Sequence, residues 1–338
     1  MKNKFKELSK TIHQQFNIYP SIYLSPTSGY RSRCKFGYKN NKYTMIDNNQ
    51  TLHMDSFKLA IDPIQKVMPQ LLKFISKDYE LSNKLFSVNF RSNGTNVIAT
   101  LIYHREISDI WLQSANYVEK NINNLNLIGR AKNILLSQHE PILWKEEEIS
   151  GFKYHIVQDD EVFFQPNHYL LSKMIKFLLN NIDTDAKDLL EIYSGCGTFT
   201  LPLSYVFNQV LATENNRSCI RLMNKSIEMN NINNISCARL SDSETAEAIN
   251  GKSFNRLGKI NIEKYQFSHV LVDPPRSGLS KETIKLIRNF KKIIYISCNF
   301  ESFIRDMNSL NNIKLKNISI FDQFASTDHI ELIAILSN

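Results

Sequence analysis

The pattern of apolar and polar residues changes near residue 160 and divides the chain into two parts. In the second part, residues 168–182 carry apolar side chains three and four positions apart, which predicts a helix with one buried face. Short apolar runs between helical stretches predict strands at 188–193, 209–213, 269–272, 292–296, 318–321 and 332–336. Such alternation is typical of an α/β fold with a mostly parallel sheet. Because only a loop joins the last two predicted strands, we expect a terminal antiparallel hairpin.

The first part has the pattern of a mixed α/β domain. Residues 30–38 alternate large and basic side chains, which predicts a half-exposed strand with arginines on its solvent face. Residues 86–90 and 97–103 predict two strands joined by a Ser-Asn-Gly-Thr turn, and residues 107–121 predict a helix. We therefore expect two domains, residues 1–160 and 161–338.

Composition and charge narrow the class of protein. The 338 residues are 42% hydrophobic and 22% charged, which is ordinary for a soluble protein of about two domains. No apolar run approaches the roughly 20 residues of a membrane span, and no apolar stretch follows the charged start, so we expect a cytoplasmic protein. The net charge is +8, and residues 1–150 hold 20 basic and 13 acidic side chains. This basic surplus favours a polyanionic partner, with solvated lysines as the alternative.

The five cysteines argue against a metal site. None of them forms a Cys-x-x-Cys pair or a ligand-like spacing with histidine. We therefore expect no zinc, no iron–sulfur cluster and no disulfide framework.

A glycine turn after the first strand of the second part indicates a cofactor site. Gly195 and Gly197 allow a tight turn and a close approach to a ligand. Glu214 ends the next predicted strand, where a carboxylate can accept both hydroxyls of a ribose. Since Thr200 stands where a dinucleotide fingerprint has its third glycine, the pattern favours S-adenosylmethionine over a dinucleotide. Two turn glycines and a surface glutamate are the alternative.

The strand at 269–272 runs into Asp-Pro-Pro-Arg at residues 273–276. A rigid loop at the carboxyl end of a strand lies over the ligand crevice of an open α/β sheet. Methyltransferases that act on exocyclic amines have an aromatic residue after this triplet, whereas Arg276 follows it here. Arginine suits phosphate or carbonyl contact and argues against amine methylation.

A cysteine and a glutamate at the same predicted edge supply further chemistry. Cys298 follows the strand predicted at 292–296, and Glu331 stands where the last strand begins. A reactive thiol beside an S-adenosylmethionine site suits methylation at C5 of uracil. Because C5 is a poor nucleophile, it accepts a methyl group only after a thiolate has added to C6, and a base must then remove the C5 proton. A buried structural cysteine and a surface glutamate are the alternative interpretations of these two residues.

These motifs together resemble the bacterial tRNA (uracil-5-)-methyltransferases that form ribothymidine in the T-loop. The resemblance covers nearly the whole chain and is most specific at residues 272–279 (Val-Asp-Pro-Pro-Arg-Ser-Gly-Leu) and 295–299 (Tyr-Ile-Ser-Cys-Asn). Residues 254–257 (Phe-Asn-Arg-Leu) and segments of the first half are similar to the tRNA branch. The resemblance implies a class I, Rossmann-like methyltransferase domain at 161–338 and a basic RNA-binding domain at 1–160.

The resemblance also implies roles for matching residues. Cys298 would be the nucleophile and Glu331 the proton acceptor. The S-adenosylmethionine site would be lined by Gln165, Tyr193, Thr198, Glu214 and Asp273, with the loop glycines Gly195 and Gly197. The expected RNA contacts are Arg31, Arg33 and Arg276. Phe163 and Phe164 are candidates for stacking on the flipped base, with a place in the core as the equal alternative.

The expected substrate is uridine 54 in the T-arm of tRNA, and the sequence leaves open whether the T-like loop of tmRNA is a second one. We expect a monomer without an obligatory protein partner. A uracil-5-methyltransferase of ribosomal RNA is the alternative enzyme, and a non-catalytic tRNA-folding factor is the alternative of another class. The absence of a cysteine cluster argues against the ribosomal enzymes.

Three positions depart from the family pattern. Phe300 replaces the usual proline after Ser-Cys-Asn, so the nucleophile loop is expected to be less rigid. The glycine loop reads Gly-Cys-Gly-Thr where the tRNA branch has Gly-Asn-Gly-Asn, although Thr198 still offers a hydroxyl. Asp328 stands where a second histidine is usual.

Overall fold

The computed structural model describes residues 3–47, 49–311, 313–325, 327 and 329–338. The elements of the first half are α1 (Asn3–Phe16), β1 (Ser21–Tyr23), β2 (Arg33–Lys39), β3 (Lys42–Asp47), β4 (Gln50–Met54), α2 (Asp62–Lys77), α3 (Tyr79–Ser82), β5 (Leu85–Ser92), β6 (Val97–Tyr103), α4 (Asp109–Asn121), β7 (Leu125–Ala131), β8 (Ile134–Ser137), β9 (Ile142–Ile149) and β10 (Phe152–Asp159).

The elements of the second half are α5 (His168–Leu179), β11 (Asp188–Ile192), α6 (Thr200–Leu203), β12 (Gln209–Thr213), α7 (Arg217–Met229), β13 (Ile235–Ala238), α8 (Asp242–Ile249), β14 (Phe267–Val272), α9 (Lys281–Ile287), β15 (Lys292–Ser297), α10 (Phe300–Ser309), β16 (Lys314–Phe321) and β17 (Glu331–Ser337). Two short 3-10 helices precede β14, at Asn255–Leu257 and Ile262–Lys264.

Seven strands of the first half form one sheet in the order β4-β3-β2-β5-β6-β7-β8. Strand β2 buries Cys34 and Phe36 and exposes Lys35, as its period of two predicts. Helices α2 and α4 cover the sheet, and α2 turns one face inward with Ile64, Val67, Met68, Leu71, Leu72 and Ile75. The predicted strands at 86–90 and 97–103 correspond to β5 and β6, which pair antiparallel.

The second sheet has eight strands in the order β1-β16-β17-β15-β14-β11-β12-β13. Strands β11 to β15 are parallel, and β17 is antiparallel to both β15 and β16. The expected α/β fold with a terminal antiparallel hairpin is therefore confirmed. The strand order reverses between β11 and β14, which is the position where open α/β sheets bind ligands at the carboxyl ends of their strands.

The first elements of the chain pack on this second sheet. Strand β1 pairs in parallel with β16, and the side chains of Phe5 and Ile12 in α1 are fully buried in the core of the second sheet. The sequence does not predict this packing, because an amphipathic helix does not reveal in its sequence which surface it covers. The boundary near residue 160 stays a prediction.

Candidate active site

The predicted site residues at strand ends share one edge of the second sheet. Strands β11, β12, β14 and β15 are parallel, so the residues that follow them share this edge, and antiparallel β17 begins there. Ser297 pairs with Leu332, which places Cys298 and Glu331 beside each other at the ends of neighbouring strands. The topology thus brings together segments that lie more than a hundred residues apart in sequence.

The loop after β11 adopts backbone conformations that its glycines permit. Gly195 has φ +56° and Gly197 has φ +87°, and a Cβ at Gly197 would lie 3.2 Å from the sulfur of Met223. The amide of Gly195 donates a hydrogen bond to Glu214 Oε2 at 3.1 Å. The glycine loop and the acidic end of β12 therefore form one side of a cavity, as their spacing predicts.

A cavity of about 390 Å³ opens at this edge. All five predicted cofactor residues, the loop glycine Gly195, Cys298 and Glu331 line it. The side-chain oxygen Oε1 of Gln165 is buried and has no hydrogen-bond partner among the described residues. A ligand with a donor group in this cavity can satisfy that oxygen.

Hydrogen bonds around Asn299 hold the loop that carries Cys298. The Asn299 side chain caps α10 by accepting from the amides of Glu301 and Ser302, and its Nδ2 donates to the carbonyl oxygen of Arg276 at 3.2 Å. The hydroxyl of Ser297 donates to the Asn299 carbonyl at 2.9 Å. These bonds hold the chain on both sides of Cys298, and the expected effect of Phe300 on the rigidity of the loop stays a prediction.

Burial and mutual repulsion shift the acid groups of the cavity away from their charged forms. Burial raises the pKa of Asp273 to about 7. Burial also raises the pKa of Glu331 well above its usual range, and the nearby Asp273 charge acts in the same direction. Burial raises the pKa of the Cys298 thiol to about 11, with Glu331 and Asp273 adding to the shift and Arg276 opposing it. A positive charge that enters the cavity therefore favours ionisation of all three groups.

The three predicted RNA-contact arginines lie around the cavity rather than inside it. The Arg33 guanidinium lies 5.8 Å from the ring centre of Phe163, and that of Arg31 lies 5.7 Å from the ring of Phe324. Arg276 Nη2 lies 3.2 Å from His329 Nε2 in a neighbouring cavity. Arg33 thus lies beside a lining residue of the 390 Å³ cavity and Arg276 lines the neighbouring one, whereas the partner of Arg31, Phe324, lines neither.

The two candidate stacking residues have different surroundings. Phe163 is 59% exposed and lines the 390 Å³ cavity, whereas Phe164 is 5% exposed and packs in the core. The guanidinium of Arg91 lies 5.0 Å from the Phe164 ring. Of these two residues, only Phe163 is exposed and lines the cavity.

The sequence does not identify Asp242, which accepts a hydrogen bond from the predicted cofactor residue Tyr193. The Tyr193 hydroxyl donates to Asp242 Oδ2 at 2.7 Å, and the Thr283 hydroxyl donates to the same oxygen at 3.2 Å. These bonds orient Tyr193, whose backbone has φ +63°. The Ser-Asp-Ser-Glu capping pattern at 241–244 predicts the start of α8, but only the tertiary structure shows its contact with Tyr193.

The described residues include no group of three or more histidine, cysteine or acidic side chains placed to hold a metal ion. Within the same ranges, no helix is long and apolar enough to cross a membrane. Asp328, one of the three departures from the family pattern, lies outside the described residues.

Comparison with known proteins gives matches over nearly the entire chain. A model of the family described as tRNA (uracil-5-)-methyltransferase matches residues 1–338. A tRNA/tmRNA (uracil-C(5))-methyltransferase of Aliarcobacter butzleri is 37% identical over 328 residues, covering 93% of this chain and 87% of that protein. A protein of the same name from a Nitratiruptor species is 34% identical over 336 residues, covering 96% and 92%.

One solved structure has the same fold. It is that of the Pyrococcus abyssi tRNA (uracil-54, C5)-methyltransferase in complex with S-adenosyl-L-homocysteine, with a TM-score of 0.76 and 19% sequence identity. The match covers 99% of this chain and 83% of that one. It extends to both sheets, so the fold likeness is not limited to the Rossmann-like half.

Proposed function

The chain belongs to the tRNA (uracil-5-)-methyltransferase family, and from that premise we propose that it transfers the methyl group of S-adenosylmethionine to C5 of uridine 54 in the T-arm of tRNA, through a covalent bond between Cys298 and uracil C6. The observation that carries the covalent route is the shared cavity. Cys298 and Glu331 line it together with the five residues expected to bind the cofactor.

The residues present fit S-adenosylmethionine. Glu214 can accept ribose hydroxyls, and the unpartnered Oε1 of Gln165 can accept from an amino group. Tyr193 and Thr198 lie along the same wall, and Asp273 supplies negative charge. When bound, the cofactor supplies an electrophilic methyl group on a positively charged sulfur.

The reaction follows from the two residues at the strand ends. The Cys298 thiolate adds to C6 of the uracil, which places a negative charge on the ring and makes C5 nucleophilic. After C5 has gained the methyl group, Glu331 accepts the C5 proton, and the C6–sulfur bond breaks as the ring regains its double bond. The products are 5-methyluridine and S-adenosylhomocysteine. Arg276, which lowers the pKa of Cys298, stabilises the thiolate form.

The base must leave the folded T-loop before the reaction can occur. We expect exposed Phe163 to stack on it, and Arg33 at the start of β2 and Arg31 two residues before it to contact phosphates. Such contacts give an affinity that falls steeply with salt. A tRNA-modifying role places the protein in the cytoplasm, and we expect it to act as a monomer.

The proposal is tested by methyl transfer to four RNAs. With labelled S-adenosylmethionine, a tRNA transcript is expected to gain 5-methyluridine, identified by nucleoside mass spectrometry, and a transcript with cytidine at position 54 is expected to gain none. tmRNA and ribosomal RNA are compared in parallel. Label in ribosomal RNA alone would contradict the proposed substrate, and tight tRNA binding without label would favour the folding-factor alternative.

The affinity for S-adenosylmethionine is expected to rise with pH. Because the pKa of Asp273 is about 7, its carboxylate ionises between pH 6 and pH 8, and only the ionised form attracts a cation. If the charged form alone binds, the affinity rises about tenfold over this interval. Isothermal titration calorimetry at a series of pH values measures it.

Two controls isolate the attraction between the Asp273 carboxylate and the positively charged sulfur of the cofactor. S-adenosylhomocysteine, whose sulfur is neutral, is expected to show a smaller dependence on pH, and Asp273→Asn is expected to remove most of the dependence. An equally steep rise in Asp273→Asn would show that another group titrates.

Replacing Phe163 by alanine is expected to lower kcat/KM for tRNA by about 10-fold to 100-fold, because base–aromatic stacking contributes about 1–3 kcal/mol. The unfolding temperature is expected to change little, since the side chain is 59% exposed. Steady-state kinetics with a T-arm hairpin measures this effect. Tyr79→Ala, which removes a 72% exposed aromatic from α3, is the control with unchanged kinetics. Equal kinetics for the two variants would rule out stacking on Phe163.

A further inference from the structure

A second cavity lies next to the cofactor cavity and shares Cys298 with it. It has a volume of about 420 Å³ and is lined by Lys4 and Leu8 of α1, by Arg276 and by His329. The sulfur of the proposed nucleophile therefore lies between the cofactor cavity and a solvent-open cavity bordered by basic side chains. Helix α1, which neither sequence motif nor family role marks as functional, forms one wall of this second cavity.

The position of α1 is fixed by its packing. Phe5 and Ile12 are fully buried in the core of the second sheet, and β1, which follows α1, pairs with β16 at Ser21 and Ser319. Because Lys4 precedes buried Phe5 directly, its backbone has little freedom. Its side chain is 15% exposed.

The Lys4 ammonium group has three acceptors around it. Its Nζ donates to the carbonyl oxygen of Thr327 at 2.5 Å and to that of His329 at 3.1 Å. The carboxylate oxygen Oδ1 of Asp322 lies 3.0 Å away. All three acceptors belong to the connection between β16 and β17, and two of them lie within four residues of Glu331. Two hydrogen bonds and one ion pair thus tie Lys4 to this connection.

We propose that Lys4 is a positioning residue that holds the connection before β17 and thereby places Glu331 against C5 of the target base. This inference rests on the proposed function, because it assigns Lys4 a part in the proton-removal step. A base acts only within about 2.6–3.2 Å of the proton donor, and a displacement of about 1 Å costs on the order of 100-fold in rate. Lys4 acts through backbone carbonyls and does not touch the base itself.

Lys4 as a phosphate ligand is the rival interpretation, and the two roles differ in what they change. A phosphate-binding lysine contributes to RNA affinity and to its salt dependence. Each such contact changes the slope of log K against log salt concentration by about 0.9 on a duplex and about 0.7 on a single strand. A positioning lysine leaves both unchanged and lowers kcat. Because replacing a positioning lysine slows proton removal, a larger fraction of the enzyme is held as the covalent methylated adduct.

The experiment compares Lys4→Met with Lys10→Met, which removes an exposed lysine from the same helix. Kinetics, salt dependence of binding and adduct fraction on a denaturing gel are measured with wild-type protein and a T-arm hairpin. For Lys4→Met we expect a 10-fold to 100-fold lower kcat, an RNA dissociation constant and salt slope within error of wild type, and a larger adduct fraction. For Lys10→Met we expect the wild-type kcat and adduct fraction.

An unchanged kcat in Lys4→Met, or a lower salt slope with unchanged kcat, would overturn the inference. If Lys4→Met fails to fold, as judged by its unfolding temperature and cofactor affinity, Asp322→Asn removes the negative charge that pairs with Lys4 from a fully buried side chain that RNA cannot reach. A lower kcat at unchanged salt slope then supports the inference, and an unchanged kcat contradicts it. Wild-type protein that transfers no methyl group would instead refute the proposed function.

Discussion

Cys298→Ala is expected to lose methyl transfer to tRNA by on the order of 10⁴-fold or more while keeping its affinity for tRNA and for S-adenosylmethionine. Without a thiolate to add at C6, C5 of uracil stays a poor nucleophile, and no other described cysteine lies at the junction of the two cavities. Rapid-quench methyl transfer measures the loss, and filter binding measures the retained affinity.

The matched control is Cys237→Ala in β13. That thiol is mostly buried, and burial raises its pKa to about 12. Its replacement is expected to leave methyl transfer within about threefold of wild type, so a large loss in both variants would point to misfolding rather than to a missing nucleophile. Retained turnover in Cys298→Ala would refute the covalent route.

Glu331→Gln is expected to separate methyl transfer from product release. The amide cannot accept the C5 proton, so multiple turnover falls by about 10²-fold to 10⁴-fold, while one methyl group per enzyme is still transferred. Because the Glu331 charge raises the pKa of Cys298, its removal favours the thiolate and does not slow adduct formation. A methylated covalent adduct therefore accumulates, and a denaturing gel with intact-mass measurement detects it.

Glu282→Gln in α9 is the control, since Glu282 is an exposed acidic side chain on a helix of the same domain. It is expected to turn over normally and to show no accumulated adduct. Normal turnover in Glu331→Gln would assign the proton to another acceptor, and Asp273, which lines the same cavity, would then be the next candidate.

The sequence predicted the residues at the strand ends because parallel strands bring their carboxyl ends to one edge. Cys298, Glu214 and Asp273 each follow an apolar run that is recognisable in isolation, and the sheet places all three at the cavity. Strand β13 escaped prediction because four residues, Ile-Ser-Cys-Ala, give too short an apolar pattern.

Contacts between distant segments could not be predicted in the same way. Lys4 and Thr327 are 323 positions apart, and nothing in either segment identifies the other. The apolar spacing of Phe5, Leu8 and Ile12 indicates an amphipathic helix, but the surface that it covers depends on the whole fold. For the same reason the partnership of Tyr193 with Asp242 became visible only in the structure.

The covalent route, which is the central claim, is tested most directly with a T-arm hairpin that carries 5-fluorouridine at position 54. Fluorine cannot leave C5 as a proton does, so an enzyme that forms the C6–sulfur bond and transfers the methyl group is trapped. With S-adenosylmethionine present, we predict a methylated covalent complex of wild-type protein on a denaturing gel, confirmed by intact mass, and none with Cys298→Ala. Tight binding of the hairpin by wild-type protein without a covalent complex would contradict the account.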